Sequence, residues 1–175
     1  MIAVDDGFFV PRKSKKTILV GVIARLNNRV EGIVSTEIWV DKLDSTQKII
    51  SLINNSRFKK NIKLILLSGI NFAGFNIVDA KKLHKKLSLP IIVCLKKKPN
   101  LEKIVKALSF FRDSKKRTQL IMNAPKIYSF KSMHFQCIGL KEKEAESILA
   151  KTIKYSSLPE PIRLSHLIAS GITRR

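Results

Sequence analysis

Two kinds of apolar pattern alternate along the chain. Some runs are short and continuously apolar; other segments carry apolar residues every three or four positions. The first kind reads as strand and the second as amphipathic helix. Residues 2–4 form a brief apolar run that stops at Asp5-Asp6-Gly7, a strand ending in a turn. Residues 17–26, rich in Ile, Leu and Val, read as a buried strand. Asn27-Asn28 signals a turn, and residues 30–40 resume strand character. These three pieces predict an antiparallel meander. Residues 44–55 read as helix, with Ile49, Ile50, Leu52 and Ile53 on the apolar face and Asp44 with Gln47 as a capping pair. Residues 62–67 are apolar enough for a strand covered on both faces. A glycine-containing loop follows, from Ser68 to Gly74.

Beyond the loop, residues 76–87 predict a helix and 90–95 another buried strand. Residues 100–111 predict a helix, with Leu101, Ile104, Val105, Leu108 and Phe111 at helical spacing. Residues 118–122, 126–130 and 134–140 are weaker strand candidates. Residues 141–154 are amphipathic through Ala145, Ile148, Leu149 and Ile153, and Pro159-Glu160-Pro161 opens a last helix ending at Gly171. Strand-helix-strand units imply right-handed parallel crossovers. A meander that runs into parallel strands gives an α/β fold, a mixed sheet flanked by helices in the order of a ribonuclease-H-like sheet. Such sheets place function at the carboxyl ends of their strands. No repeat or interdomain linker is visible, so residues 1–175 are expected to form a single domain.

Composition narrows the function. The apolar stretch from 64 to 78 is interrupted by Ser68, Asn71 and Asn76 and falls short of the roughly 20 residues of a membrane span. Asp5 and Asp6 stand where a signal peptide would be positively charged, so secretion is not expected. The two cysteines, Cys94 and Cys137, lie in apolar runs without metal-ligand spacing. Free buried thiols fit a reducing cytoplasm. The formal charge is +21, from 34 Lys+Arg against 13 Asp+Glu, so a polyanion is the natural partner. Basic clusters at 12–16, 59–63, 81–86, 96–98 and 115–117 are spread along the chain. The excess of Lys over Arg also fits a merely solvated, Lys-rich surface, as in some thermophiles.

Acidic residues are scarce, so their places matter. Five of the six aspartates, Asp5, Asp6, Asp41, Asp44 and Asp79, precede residue 80, and several lie at a strand end or helix start. Carboxylates gathered at one edge of a basic protein can hold Mg²⁺ or Mn²⁺ against phosphate, since hard cations prefer oxygen. Each has a blander reading. Asp5 or Asp6 would satisfy backbone in an Asp-Gly turn. Asp44 reads equally as a helix N-cap, Asp79 as a cap near Asn76, and Asp41 as a turn residue. His84 and His134 read as structural, whereas His166 stands apart from Leu164, Leu167 and Ile168 on the last helix.

Four segments together resemble a known family: Ile2-Ala3-Val4-Asp5-Asp6-Gly7; the run from Leu67 through Ser68-Gly69-Ile70-Asn71 to Asp79; the run from Leu89 to Lys96; and Leu158-Pro159-Glu160-Pro161-Ile162-Arg163-Leu164-Ser165-His166-Leu167. The chain resembles the archaeal endonuclease dU family, related to endonuclease V, over nearly its whole length. That resemblance implies a ribonuclease-H-like fold and Mg²⁺- or Mn²⁺-dependent nicking of nucleic acid, DNA in the first place, near a deaminated base. By position, Asp5 and Asp44 match two metal-binding acids, Lys96 a lysine after the fifth strand, and His166 a histidine near the metal. The third acid is replaced: where the pattern has Asp-Gly, this chain has Ser68-Gly69. A neutral hydroxyl there weakens attraction for a cation. Asp6, Asp41 and Asp79 are the possible substitutes.

The catalytic set implied is thus Asp5, Asp44, Ser68, Lys96 and His166, with Lys96, Lys97, Lys98 and Arg163 against the nucleic acid. A wedge that helps endonuclease V open the duplex is absent. Residues 37–43, including Trp39, stand instead, so specificity for hypoxanthine does not transfer. Two alternatives stay open: a nucleic-acid-binding protein that has lost cleavage, and a scaffold whose basic surface meets an acidic partner. Oligomeric state is not legible.

Overall fold

The computed structural model describes residues 1–174. Strand β1 (Ile2–Asp6) lies inside the sheet, and its Ile2, Ala3 and Val4 are fully buried. Burial on both faces explains why this run is continuously apolar. On one side β1 pairs antiparallel with β2 (Lys16–Ala24), which pairs antiparallel with β3 (Val30–Trp39). This is the predicted meander. On the other side β1 runs parallel to β4 (Ile65–Leu67), β4 runs parallel to β7 (Ile91–Leu95), and both crossovers are helical. Antiparallel β9 (Met133–Ile138) and β8 (Tyr128–Phe130) complete a seven-stranded sheet of order β3-β2-β1-β4-β7-β9-β8. A separate two-stranded hairpin, β5 (Asn71–Phe72) and β6 (Asn76–Ile77), stands after β4.

Period-two alternation sends each strand's side chains to two helical layers. Ile2, Val4, Leu19, Ile65, Leu67, Ile91 and Val93 meet α1 (Ser45–Asn54) and α2 (Ala80–Leu87) through Ile49, Ile53 and Leu83. Ala3, Leu66, Ile92, Cys94 and Phe135 meet α5 (Glu142–Thr152) and the start of α6 (Glu160–Thr173) through Ala145, Leu149 and Ile162. Farther along, Ala169 of α6 packs on Val20 and Val22. Among the described residues no helix is long and apolar enough to cross a membrane.

Three expectations are corrected. Residues 118–122 are not a strand; they end α4 (Ser114–Met122), which follows α3 (Leu101–Leu108). Arg117 and Ile121, one helical turn apart, are the buried positions that decide this. Asn76 does not open a helix. It lies in β6, and α2 begins at Ala80, with the Asp79 carboxylate accepting from the Lys82 N–H at 2.8 Å. Asp44 occupies the N-cap position of α1 but makes no side-chain cap, so its pairing with Gln47 does not form.

A buried arginine ties the α3–α4 unit to the loops beside the sheet. Arg117 is 4% exposed. It donates to the Phe75 carbonyl at 2.6 Å, the Asp41 carbonyl at 2.7 Å and the Asp113 carboxylate at 2.6 Å. Its guanidinium also lies 4.3 Å from the centroid of Phe111, itself edge-on to Phe75. Removing such a group leaves two part-buried carbonyls unpaired. Arg117→Ala is therefore expected to lower unfolding free energy by about 3 kcal/mol, read from urea denaturation. Arg117→Lys should recover only part of it, since an ammonium lacks the planar fork.

Candidate active site

Three parallel strands end side by side, and the residues at their carboxyl ends meet. Asp5 shares the parity of Ala3 on β1, so it faces the α6 layer, opposite Val20 of β2. The Ser68 N–H donates to the Val4 carbonyl at 3.1 Å, which extends the β1–β4 register by one residue. Ser68 therefore has the parity of Leu66 and lies beside Asp5. Lys96 follows β7 with the parity of Ile92 and Cys94. One sheet edge thus presents an acid, a hydroxyl and a cation from three neighbouring strands.

These residues open into a cleft of about 610 Å³. Its floor holds Asp5, Asp6 and Ser68; Lys96, Lys97, Arg163, His166 and Arg174 stand in its walls. Helix α6 supplies Arg163, His166 and Ser170 at spacings of three and four, so they share one helical stripe, and Arg174 follows as the helix's C-cap. That stripe was present in the sequence, yet it pointed to neither Ser170 nor Arg174. Ser156 and Ser157, from the α5–α6 connection, also line the cleft without a sequence signal.

Asp5 is 6% exposed and its two oxygens are used differently. Oδ1 accepts from the Asp6 N–H at 3.0 Å, and Oδ2 lies 3.0 Å from Nδ1 of His166. An ionised carboxylate only accepts, so Nδ1 then carries the hydrogen and Nε2 is left toward the cleft with no partner among the described residues. Burial pushes the Asp5 carboxyl up to about 6, against the pull of the Asp6 N–H, the Ser68 hydroxyl and the Lys96 charge. Asp6, whose Oδ2 accepts from the Ala73 N–H at 2.8 Å, is also pushed up to about 6 by burial, with the neighbouring Asp5 charge adding to the rise. Among the described residues neither carboxylate has a Lys or Arg ion-pair partner.

The other sequence candidates are placed elsewhere. Asp44 does not line the cleft. Its Oδ1 accepts from Asn76 Nδ2 at 2.6 Å, while Oδ2 is buried without a partner. Asp41, at φ +58°, accepts from the Phe75 N–H at 2.8 Å and fills the space where a Cβ on Gly74 would fall. Asp79 caps α2. All three are occupied with backbone or amide partners of the 39–82 region. No group of three or more His, Cys, Asp and Glu side chains gathers as a metal cage among the described residues. Lys98 is exposed beyond the cleft wall. Arg163 lines the wall but is bound to Glu160 at 2.8 and 2.6 Å. Trp39 is half-buried between the ammonium groups of Lys16 and Lys42, at 4.8 and 4.0 Å. Cys94 is buried beside the cleft, its thiol pushed up to about 12 by burial, and is no nucleophile at neutral pH.

Comparison with known proteins accords with this geometry. The endonuclease dU family model matches residues 1–173. A UPF0215 protein of Thermococcus sibiricus is 41% identical over 178 residues, covering 98% of this chain and 91% of that protein. A UPF0215 protein of Methanopyrus kandleri is 36% identical over 180 residues, covering 99% and 91%. Among solved structures, a protein of unknown function from Archaeoglobus fulgidus superposes with a TM-score of 0.92 at 33% identity, covering 99% of this chain and 98% of that one. Endonuclease V of Ciona intestinalis, in complex with DNA containing an inosine followed by a ribo-adenosine, gives 0.62 at 12% identity, covering 94% and 81%. The latter likeness shows the shared ribonuclease-H-like fold.

The raised Asp5 carboxyl has a consequence for stability. The folded chain holds that proton more tightly than the unfolded chain, so stability falls as pH rises from the usual carboxylate range through about 6, and the penalty is complete above that. Asp5→Asn removes the charge. In metal-free buffer at pH 7.5 it should be more stable than the parent by about 3 kcal/mol, and most of the gain should be gone by pH 4. Thermal melts across pH check this; a gain that persists undiminished at pH 4 would contradict it.

Proposed function

The chain belongs to the endonuclease dU family, and from that premise we propose that it is a divalent-metal-dependent endonuclease acting on nucleic acid near deaminated bases. The observation that carries the proposal is the pairing of buried Asp5 with half-buried Asp6 on the floor of a cationic cleft. Two adjacent carboxylates, both resisting ionisation and lacking a Lys or Arg partner, suit a small hard cation such as Mg²⁺ or Mn²⁺. The Ser68 hydroxyl beside them adds a neutral oxygen. Asp44, which the sequence resemblance pairs with Asp5, is left out of this set because it lies off the cleft wall. When bound, such an ion supplies charge stabilisation at the phosphoryl group and activates water.

The chain's own residues do the rest. Lys96, Lys97 and Arg174 hold phosphate oxygens as positive charges around the floor. Asp5 fixes the imidazole of His166 so that its unpartnered Nε2 takes the proton of an attacking water. As the water oxygen bonds to phosphorus, the opposite P–O bond breaks, and its oxygen leaves and takes a proton from solvent water. Lys98 extends the basic edge beyond the wall. The inosine-containing DNA held by the Ciona enzyme motivates trying the same class of substrate here.

A second reading, binding without cleavage, is favoured by Ser68: no third carboxylate stands at the ends of β1, β4 and β7. One assay separates the two. With Mg²⁺ or Mn²⁺, oligonucleotides containing uracil or inosine should be nicked, and Asp5→Asn should slow nicking at least 100-fold while binding persists. Salt should weaken that binding steeply, since phosphate contacts release counterions. Binding without nicking under either metal would leave the second reading, and Ser68→Asp would then be expected to gain cleavage.

Metal binding has its own readout. Mn²⁺ should raise the melting temperature of the parent protein and leave that of Asp5→Asn unmoved. An equal rise in both would place the ion elsewhere.

A further inference from the structure

The two outer strands of the sheet are built differently. An edge strand carries a row of unpaired backbone N–H and C=O groups, and natural proteins guard such rows with short strands, lysines or prolines. Edge β8 is guarded: it is three residues long and stands between Lys126 and Lys131. Edge β3 is not. It runs ten residues, Val30–Trp39, and contains no Lys, Arg or Pro. Helix α6 packs on β1 and β2. Ile33, which shares that face through its pairing with Val22, is 53% exposed.

The register fixes which groups of β3 point outward. The Val40 N–H donates to the Lys15 carbonyl at 2.9 Å, and the β2–β3 pairing continues that register from Lys16↔Trp39 to Ile23↔Gly32. Residues with the parity of Val40, namely Val34, Thr36 and Ile38, therefore bond inward to β2. Ile33, Ser35, Glu37 and Trp39 turn their N–H and C=O groups outward. Asn76 Nδ2 donates to the Trp39 carbonyl at 2.8 Å. Among the described residues the outward groups of Ile33, Ser35 and Glu37 have no hydrogen-bond partner. Beside them runs a groove of about 300 Å³ between β3 and α1, with Val34, Ser35, Thr36, Ser51, Leu52 and Asn55 along it. Its described lining residues are all uncharged.

We propose that β3 is a self-association edge: two copies of this chain pair their β3 strands antiparallel about a two-fold axis at Ser35, joining two seven-stranded sheets into one. Such a contact is self-complementary. Centred on Ser35, it uses every free outward group. Ser35 faces the partner's Ser35, and Ile33 faces the partner's Glu37. These pairs exchange about six backbone hydrogen bonds. On the α1 face Val34 comes opposite the partner's Thr36, a β-branched pair, and the partner strand fills the groove. A centre at Val34 would instead set Glu31 against the partner's Glu37, like charge on like. Charge selects the same edge. Two chains at +21 repel, so they meet where local charge is low. The charged residues of β3 are Glu31 and Glu37, held by Arg25 at 2.6 Å and Lys16 at 2.9 Å. No β3 residue lines the cleft among the described residues, so this pairing leaves the proposed nuclease site open.

Sedimentation velocity on protein freed of nucleic acid tests this. The parent chain should reach twice the chain mass as its concentration rises, and added salt should favour the dimer by screening the repulsion between two cationic chains. Association bridged by residual nucleic acid would weaken with salt, and that result overturns the proposal. Ser35→Pro removes the central donor and spares the inward ladder, since the Ser35 N–H points out. Ser35→Lys sets two ammonium groups against each other at the axis. Each should weaken self-association at least about tenfold. Should Ser35→Pro not fold, Ser35→Lys decides, its side chain being exposed. Under mild oxidation Ser35→Cys should form a linked dimer that the parent does not, because Cα atoms about 5.5 Å apart across such a pair suit a disulfide. A parent chain that stays monomeric at every concentration and salt level overturns the proposal, as does a dimer that both the Pro and the Lys variants leave intact.

Discussion

The carboxylate of Asp5 sits at the end of a fully buried strand, beneath a helix, where water hardly reaches it. Most of what surrounds the site follows from the need to make that charge tolerable. The Asp6 N–H and the His166 ring each take one of its oxygens, and the positive charge of Lys96, just past the end of β7, acts on it across β4. These contacts do not fully offset burial, and the carboxyl remains reluctant to ionise. Asp6 beside it adds a second charge to the same problem. Such an arrangement is poor for stability and good for capturing a cation. Proteins accept this trade at functional sites, where groups are held in states that packing alone would not choose.

Helix α6 makes the arrangement possible. It spans the sheet from its Ile162 contact with the β4–β7 layer to its Ala169 contact with β2. Between those anchors it turns His166 toward Asp5, with Arg163 and Arg174 on either side in the same cleft. The helix that closes the core on one face therefore also carries one wall of the site. A buried apolar anchor at each end leaves little freedom to the side chains between, which is how short contacts such as His166–Asp5 are kept in register.

On the opposite face, a different logic governs the acids. Asp41, Asp44 and Asp79 satisfy N–H groups of the hairpin, of Asn76 and of α2. Arg117 binds the carbonyls of Asp41 and Phe75 from the α3–α4 side. The five aspartates that precede residue 80 are thus divided between one pair on the cleft floor and three that organise loops. The strong positive field has no large internal counterweight, so it projects outward, where it attracts polyanions.

The sequence by itself determined the order of elements, because continuous apolar runs and helical spacing are local signals. Residues 62–67 and 90–95 read as buried strands, and 100–111 as an amphipathic helix. It also placed Asp5, Lys96 and His166 as candidates through a family resemblance. It misjudged 118–122, a weak strand candidate that a buried turn-spaced pair places in a helix, and Asn76, whose amide serves Asp44 and the Trp39 carbonyl instead of opening a helix. Only the tertiary structure separated Asp5 and Asp6 from Asp41, Asp44 and Asp79. Spacing cannot say which carboxylates share a cleft, since that depends on strand register and on which side of the sheet a helix crosses.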